Sequence, residues 1–318
     1  MFRRRSMLLT LIIVPIACSA HSEQLAPGTS SISATPLTAG RSANLSGVTA
    51  FGARRDGSVP AHGRIEVLSV RSADRDVTVR DVWVYRPAVP DSATLPVVYF
   101  LHGVPGTAAD VFSSGTAEAL DRMFASGVQP FVLAAPTGTG TFHADTEWAD
   151  SEDGADRLET YIVDEVISAV EGAHRRDRRN RIIAGFSMGG YGAANLALRH
   201  PALFGAVASF AGYFHIDDPD SVFGGDRQVE SANDPELLIK TVRDVRFWLA
   251  EGTSDTEPAV RGEALRFAAL AGSLVGPHDL VVAPGAHDYA FVVAHLADMG
   301  AFIARGDGDP PRPSVGPS

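Results

Sequence analysis

Apolar and polar positions follow two different periods along this chain, and the switches between them mark out its elements. Residues 64–70 (RIEVLSV) and 77–85 (VTVRDVWVY) alternate apolar with polar, the period of strands that bury one face. The polar link 71–76 between them predicts an antiparallel hairpin at a sheet edge. Pro87, Pro90 and Pro96 then end that pairing. Residues 97–101 (VVYFL) and 131–135 (FVLAA) are instead continuously apolar, as strands covered on both faces are. Further strand-like runs occupy 182–184, 206–210, 245–250 and 279–283. Helical spacing takes over at 117–125, 157–172, 259–271 and 289–304, after residue 187, and in a short helix opened by Asp234-Pro235. In 157–172 the residues Leu158, Tyr161, Ile162, Val166 and Val170 fall on one face. Strands alternating with helices over about 200 residues predict an α/β fold, a mostly parallel central sheet with helices on both faces. There is no internal repeat.

The two ends read differently. Arg3, Arg4 and Arg5 precede an apolar run at 7–17 that is too short for a comfortable membrane span, so residues 1–20 read as an export signal. Cys18 is the only cysteine. Val14-Pro15-Ile16-Ala17-Cys18 resembles a bacterial lipobox, which would make Cys18 a lipidation site and give the protein a lipid anchor to the membrane. Pro15 departs from the usual aliphatic residue, and cleavage after Ala20 is the other reading. Both predict an exported protein, secreted or held as a cell-surface lipoprotein. Residues 21–63 are rich in Ser, Thr, Ala, Gly and Pro and read as a flexible lead-in. The Pro/Gly-rich residues 306–318 read as a disordered tail. The folded domain is expected at 64–305. Its length and the 45% hydrophobic content of the chain suffice for a full core, and one cysteine permits no internal disulfide. Lys+Arg 27 against Asp+Glu 38, a net charge of −11, argues against nucleic-acid partners.

Candidate chemistry centres on residues 181–200, RIIAGFSMGGYGAANLALRH. A short apolar run, then Gly185-Phe186-Ser187-Met188-Gly189, then an Ala/Leu-rich segment is strand, sharp turn, helix with a serine at the apex. Side chains at the flanking glycines would clash in such a turn, so the pattern reads as a nucleophile elbow. A serine hydroxyl needs a base and a group that orients the base. On elbow-bearing folds the acid and then the histidine follow the serine in sequence, each after a strand. Asp255 follows the 245–250 run and His287 follows the 279–283 run. His278 precedes its strand, His295 lies within a helix, and His143, His174 and His215 come before the acid, so His287 is the preferred base. Glu251 and Glu263 stay open as rivals to Asp255, whereas Asp288 adjoins the histidine too closely to orient it. An oxyanion hole is expected from the N–H of Met188 and that of Val104, in the turn His102-Gly103-Val104, with Gly103 second. The His102 side chain is expected to stiffen that turn.

The loop 136–154 is long, polar and studded with aromatics, and reads as functional surface. Phe112, Phe142, Trp148, Tyr213 and Phe214 are candidate walls of a substrate pocket. The acidic run 150–156 reads as a solvated loop. No metal-ligand spacing, dinucleotide fingerprint or P-loop appears, so no metal and no cofactor is expected.

The stretches LPVVYFLHGVPG, DTEWAD, AGFSMGGYGAANLALRHPALFGAVASFAGYF, GTSD and GAHDYAFV resemble the putative-esterase family of α/β-hydrolases, across about residues 65–303. That family includes esterase D, feruloyl and enterochelin esterases and the actinobacterial mycolyltransferases. The resemblance implies an α/β-hydrolase fold, a Ser187–Asp255–His287 triad and an oxyanion hole from Met188 and Val104. His102 stands where mycolyltransferases carry an acidic residue, and Gly190 adds a glycine they lack, which favours hydrolysis over mycolyl transfer. The expected function is an exported serine carboxylester hydrolase acting on a small-molecule or cell-envelope ester. The alternatives are an acyltransferase using a sugar or glycerol hydroxyl, and a catalytically inactive cell-envelope binding protein. The oligomeric state is not legible.

Overall fold

A computed structural model describes residues 62–305 apart from 217–220, 243, 273 and 275–277. The signal, lipobox and lead-in readings up to residue 61, Cys18 included, and the tail from 306 lie outside them. Eight strands form one sheet in the order β1-β2-β4-β3-β5-β6-β7-β8. They are β1 (Arg64–Arg71), β2 (Val79–Arg86), β3 (Val97–Leu101), β4 (Val132–Pro136), β5 (Arg181–Phe186), β6 (Ala206–Phe210), β7 (Arg246–Gly252) and β8 (His278–Ala283). The alternating pair β1 and β2 makes the edge hairpin, Arg64 opposite Arg86 through Arg71 opposite Val79. β2 also runs antiparallel to β4, and all remaining pairs are parallel.

The continuously apolar strands are buried along their whole length because both faces are covered. The pleat sends alternate residues to opposite sides. Val97, Tyr99 and Leu101 enter one core with Ile183 and Val207; Val98 and Phe100 enter the other with Ile182 and Ala184. The first core is closed by residues 158–171 and by the helices Met188–Arg199 and Glu263–Gly272. The second is closed by Ala108–Ser113, Thr116–Ala125, Tyr289–Ala294 and Leu296–Ile303.

Two helices depart from the simple period. Within 158–171 a π-helical turn, Tyr161–Val166, is inserted, with Tyr161, Ile162 and Val166 still buried. The expected 289–304 helix breaks at His295, whose φ of −108° and ψ of 9° interrupt it. The ring of His295 is tied to Asp298 at 3.0 Å. Beneath the sheet a buried cluster escaped the sequence reading. Arg181 at the start of β5 makes two bonds to Glu171, 2.8 and 2.9 Å, and Tyr99 donates to the same carboxylate at 3.0 Å. Burial alone would raise the pKa of Glu171, but the bonds from Arg181 and Arg176 hold it below the usual carboxylate range.

Candidate active site

The parallel strands end on one edge, and loops from three of them meet there. β5 runs into Ser187, whose φ of 57° and ψ of −123° are the strained elbow geometry, and the helix Met188–Arg199 starts at the next residue. Glycine is required on both sides. A Cβ at Gly185 would lie 2.1 Å from the Gly189 carbonyl oxygen, and one at Gly189 would lie 2.1 Å from that of Leu101. Gly190 is a third tight approach, its added Cβ falling 2.6 Å from Ser209 Oγ.

The loops after β7 and β8 are stitched to each other. Thr253 N–H donates to Ala283 O at 2.8 Å and Ser254 N–H to Gly285 O at 2.9 Å, so Asp255 and His287 keep a fixed relation. The His287 ring packs on Phe186, 4.6 Å between centroids. Its Nδ1 bonds the buried Asp255 Oδ2 at 2.7 Å, and its Nε2 lies 2.9 Å from Ser187 Oγ. Nδ1–H donating to the carboxylate leaves the Nε2 lone pair facing the serine hydroxyl. The other Asp255 oxygen accepts from Glu257 N–H at 2.8 Å.

The rival acids and bases have other partners. Glu251 is buried in β7 and accepts from Gly262 N–H at 2.6 Å. Glu263 pairs with Arg266. Asp288 caps the helix Tyr289–Ala294, accepting from Phe291 N–H at 3.0 Å. His143 faces Asp156 at 3.1 Å and His215 faces Asp234 at 2.9 Å.

Beside the serine runs the turn that leaves β3. Met188 is the first residue of its helix, so its N–H has no intrahelical acceptor. Gly103 packs its backbone on Ser187, where an added Cβ would come 3.1 Å from Ser187 Cβ. Val104, expected as the second donor, is exposed and lines the same cleft as Ser187 and Met188. His102 holds this turn from inside. Its ring donates from Nδ1 to Gly103 O at 2.8 Å and accepts from Gly138 N–H on Nε2 at 2.9 Å. Burial pushes the His102 imidazole down to about 4, so it stays neutral and the tautomer is fixed by its partners.

Ser187, Met188, Val104 and His287 line a cleft of about 570 Å³ together with Tyr213 and the Pro258–Val260 segment. The expected aromatic walls are corrected by the structure. Trp148 is fully buried, its ring against Gly138 and Gly192 and its indole N–H donating to His102 O at 3.0 Å. Phe214 is fully buried and stacks on Phe267, 4.1 Å between centroids. Phe112 stacks on Trp83, and Phe142 is exposed under Arg75. None of these four lines the cleft; Tyr213 does. Nor is 150–156 simply a solvated loop. Asp156 is buried and accepts from the N–H groups of Thr141, Phe142 and His143 at 2.7 to 2.9 Å, folding the preceding loop onto the sheet. The sequence reading missed Glu147, a buried acid in the cleft wall. Among the described residues, no cluster of three His, Cys, Asp or Glu could hold a metal ion.

The model of the putative esterase family matches residues 73–303. The chain belongs to that family. It is similar to the esterase Rv1288 of Mycobacterium tuberculosis, 25% identical, across 77% of this chain and 66% of that protein. A Corynebacterium glutamicum protein described as uncharacterized is 30% identical across 50% of this chain and 40% of its own length. The chain thus spans less than two thirds of these relatives. Among solved structures, a ferulic acid esterase superposes with a TM-score of 0.65 at 24% identity, covering 77% of this chain and 98% of that one. An S-formylglutathione hydrolase from Agrobacterium tumefaciens does so with 0.65 at 22%, covering 78% and 96%. MPT51 of Mycobacterium tuberculosis gives 0.57 at 19%, covering 76% and 98%. These superpositions show the fold, that of the α/β-hydrolases.

Proposed function

We propose that this member of the esterase family is a serine carboxylester hydrolase that works by an acyl-enzyme, exported to the cell surface or beyond. The observation that carries the reading is the continuous chain of bonds from Ser187 Oγ through His287 to Asp255, opening on a cleft. As Ser187 Oγ attacks the ester carbonyl carbon, His287 Nε2 takes its proton. Asp255 holds the ring and stabilises the imidazolium. The carbonyl oxygen, now negative, sits between the N–H groups of Met188 and Val104, a pair of donors each worth about 3 kcal/mol or more. Collapse expels the alcohol, which receives the proton from His287. Water then attacks the acyl-enzyme with His287 again as base, releasing the acid and restoring Ser187. Export rests on the basic, apolar and small-residue pattern of residues 1–20.

The test is turnover of p-nitrophenyl acetate, butyrate and palmitate by residues 62–305 beside Ser187→Ala. Serine-dependent hydrolysis is expected, with the chain-length profile sizing the cleft. Equal rates for wild type and variant would contradict the reading.

A further inference from the structure

The hydrolytic steps give no task to one wall of the cleft, and that wall is elaborately held. Glu147 and Trp148 are consecutive non-glycine residues with left-handed backbones, φ 50° and 54°. Such strain persists only where the surroundings over-determine it. Trp148 supplies the anchor, its ring buried and its indole N–H on the oxyanion turn at His102 O. The strained pair thereby delivers the Glu147 carboxylate to the cleft wall, where its Oε2 accepts the Tyr213 hydroxyl proton at 2.5 Å. The Tyr213 ring is fixed in turn. It stacks on Tyr191, 5.1 Å between centroids and 15° between planes, and Tyr191 O–H is tied to Asn233 O at 2.5 Å.

A phenol has one proton, and here it is committed to Glu147. What the Tyr213 oxygen can offer a ligand is therefore a lone pair. Burial, and after it the charge of Glu147, keep Tyr213 protonated by raising its pKa well above the ordinary value. Asp145, Glu257, His215 and Arg266 line the same cleft. A group that donates a hydrogen bond is matched to this wall, and one that lacks a donor leaves a built acceptor unused.

We propose that Tyr213, oriented by Glu147, is a specificity-determining acceptor that selects esters bearing a hydroxyl donor close to the reacting carbonyl. This rests on the serine-esterase reading for its turnover test, though not for its binding test. The hydroxyl can belong to the alcohol half or the acyl half of the ester, and two isosteric pairs separate them. 2-Hydroxyethyl butyrate against propyl butyrate probes the alcohol half. Ethyl 3-hydroxybutyrate against ethyl 3-methylbutyrate probes the acyl half.

In wild type, one pair is expected to favour the hydroxylated ester by about tenfold in kcat/KM, the scale of one hydrogen bond. Tyr213→Phe removes the acceptor and brings that ratio to about one. Glu147→Gln, whose amide can donate to the phenol and release its proton, lowers the ratio as well. A ratio near one for both pairs in wild type overturns the proposal. So does a preference that survives Tyr213→Phe, even if all rates fall together, because that marks a purely structural role. The same four esters are titrated calorimetrically against Ser187→Ala, with and without Tyr213→Phe. A Kd preference erased by Tyr213→Phe supports the acceptor even if wild type hydrolyses nothing, in which case the serine-esterase reading alone fails. Equal Kd values within both pairs overturn the acceptor.

Discussion

Replacing Gly189 by alanine puts a methyl group where the fold has two backbones in contact. The added Cβ would lie 2.1 Å from Leu101 O, 2.5 Å from Leu101 C and 2.7 Å from His102 O. None of these atoms can rotate aside as a side chain could. Restoring even a tight contact requires the end of β3 and the start of the elbow helix to part by about 1 Å. Overpacking of this kind costs about 1–3 kcal/mol, or roughly 2–12 °C in Tm for a domain of this size. The larger effect is on rate. Met188 N–H rides on the helix and Val104 N–H on the turn after β3, so the parting pulls the two proposed oxyanion donors away from each other. A misplacement of about 1 Å typically costs about 100-fold. Gly189→Ala is therefore expected to lower kcat on p-nitrophenyl butyrate by about 100-fold while KM changes little. Gly127→Ala is the control. Its φ is 99° and nothing lies within 4 Å of the added Cβ, so only the backbone cost of about 1–2 kcal/mol applies and kcat is retained. A Gly189→Ala enzyme with kcat within threefold of wild type and an unchanged Tm would refute the reasoning.

Asp255→Asn keeps the shape but loses the charge that fixes the His287 tautomer, and should lower kcat by about 10³- to 10⁴-fold with the circular dichroism spectrum unchanged; a loss under tenfold would remove Asp255 from its role. Glu171→Ala leaves Arg181 buried without its carboxylate and should cost about 3–5 kcal/mol in urea unfolding, against a null expectation of under 1 kcal/mol if the pair were solvated. His102 predicts a pH effect. Its pKa is about 4 in the fold against an ordinary 6.5, so protonation favours the unfolded chain as pH falls between those values and contributes nothing above 6.5. Wild type should lose roughly 2–3 kcal/mol more than His102→Gln between pH 7 and 4.5. Parallel pH profiles of unfolding would contradict that.

The framework of this fold is legible in its sequence because each strand carries its burial in its pattern. β1 and β2 alternate and lie at the edge; β3, β5 and β6 are continuously apolar and lie at the centre. The meeting of Ser187, Asp255 and His287 was legible for a related reason, since each directly follows a strand whose order in a parallel sheet brings its end to one edge. The loops were another matter. Trp148 and Phe214 sit in irregular segments, where no period tells an inward side chain from an outward one, and both proved to be core. Asp156 looks like one more charge in an acidic run, and only the tertiary fold brings three amides to it. Glu147 gave no signal either. A left-handed glutamate has no sequence mark of the kind a glycine would supply, and its partner Tyr213 is 66 positions away.

The proposed chemistry stands or falls with Ser187 as the nucleophile. Incubating residues 62–305 with a fluorophosphonate, then locating the adduct by peptide mass mapping, tests it in one step. The prediction is a single phosphonyl group on Ser187, formed in wild type, slowed severely in His287→Ala and absent in Ser187→Ala. No adduct on correctly folded protein, or one on another residue, would contradict the central claim.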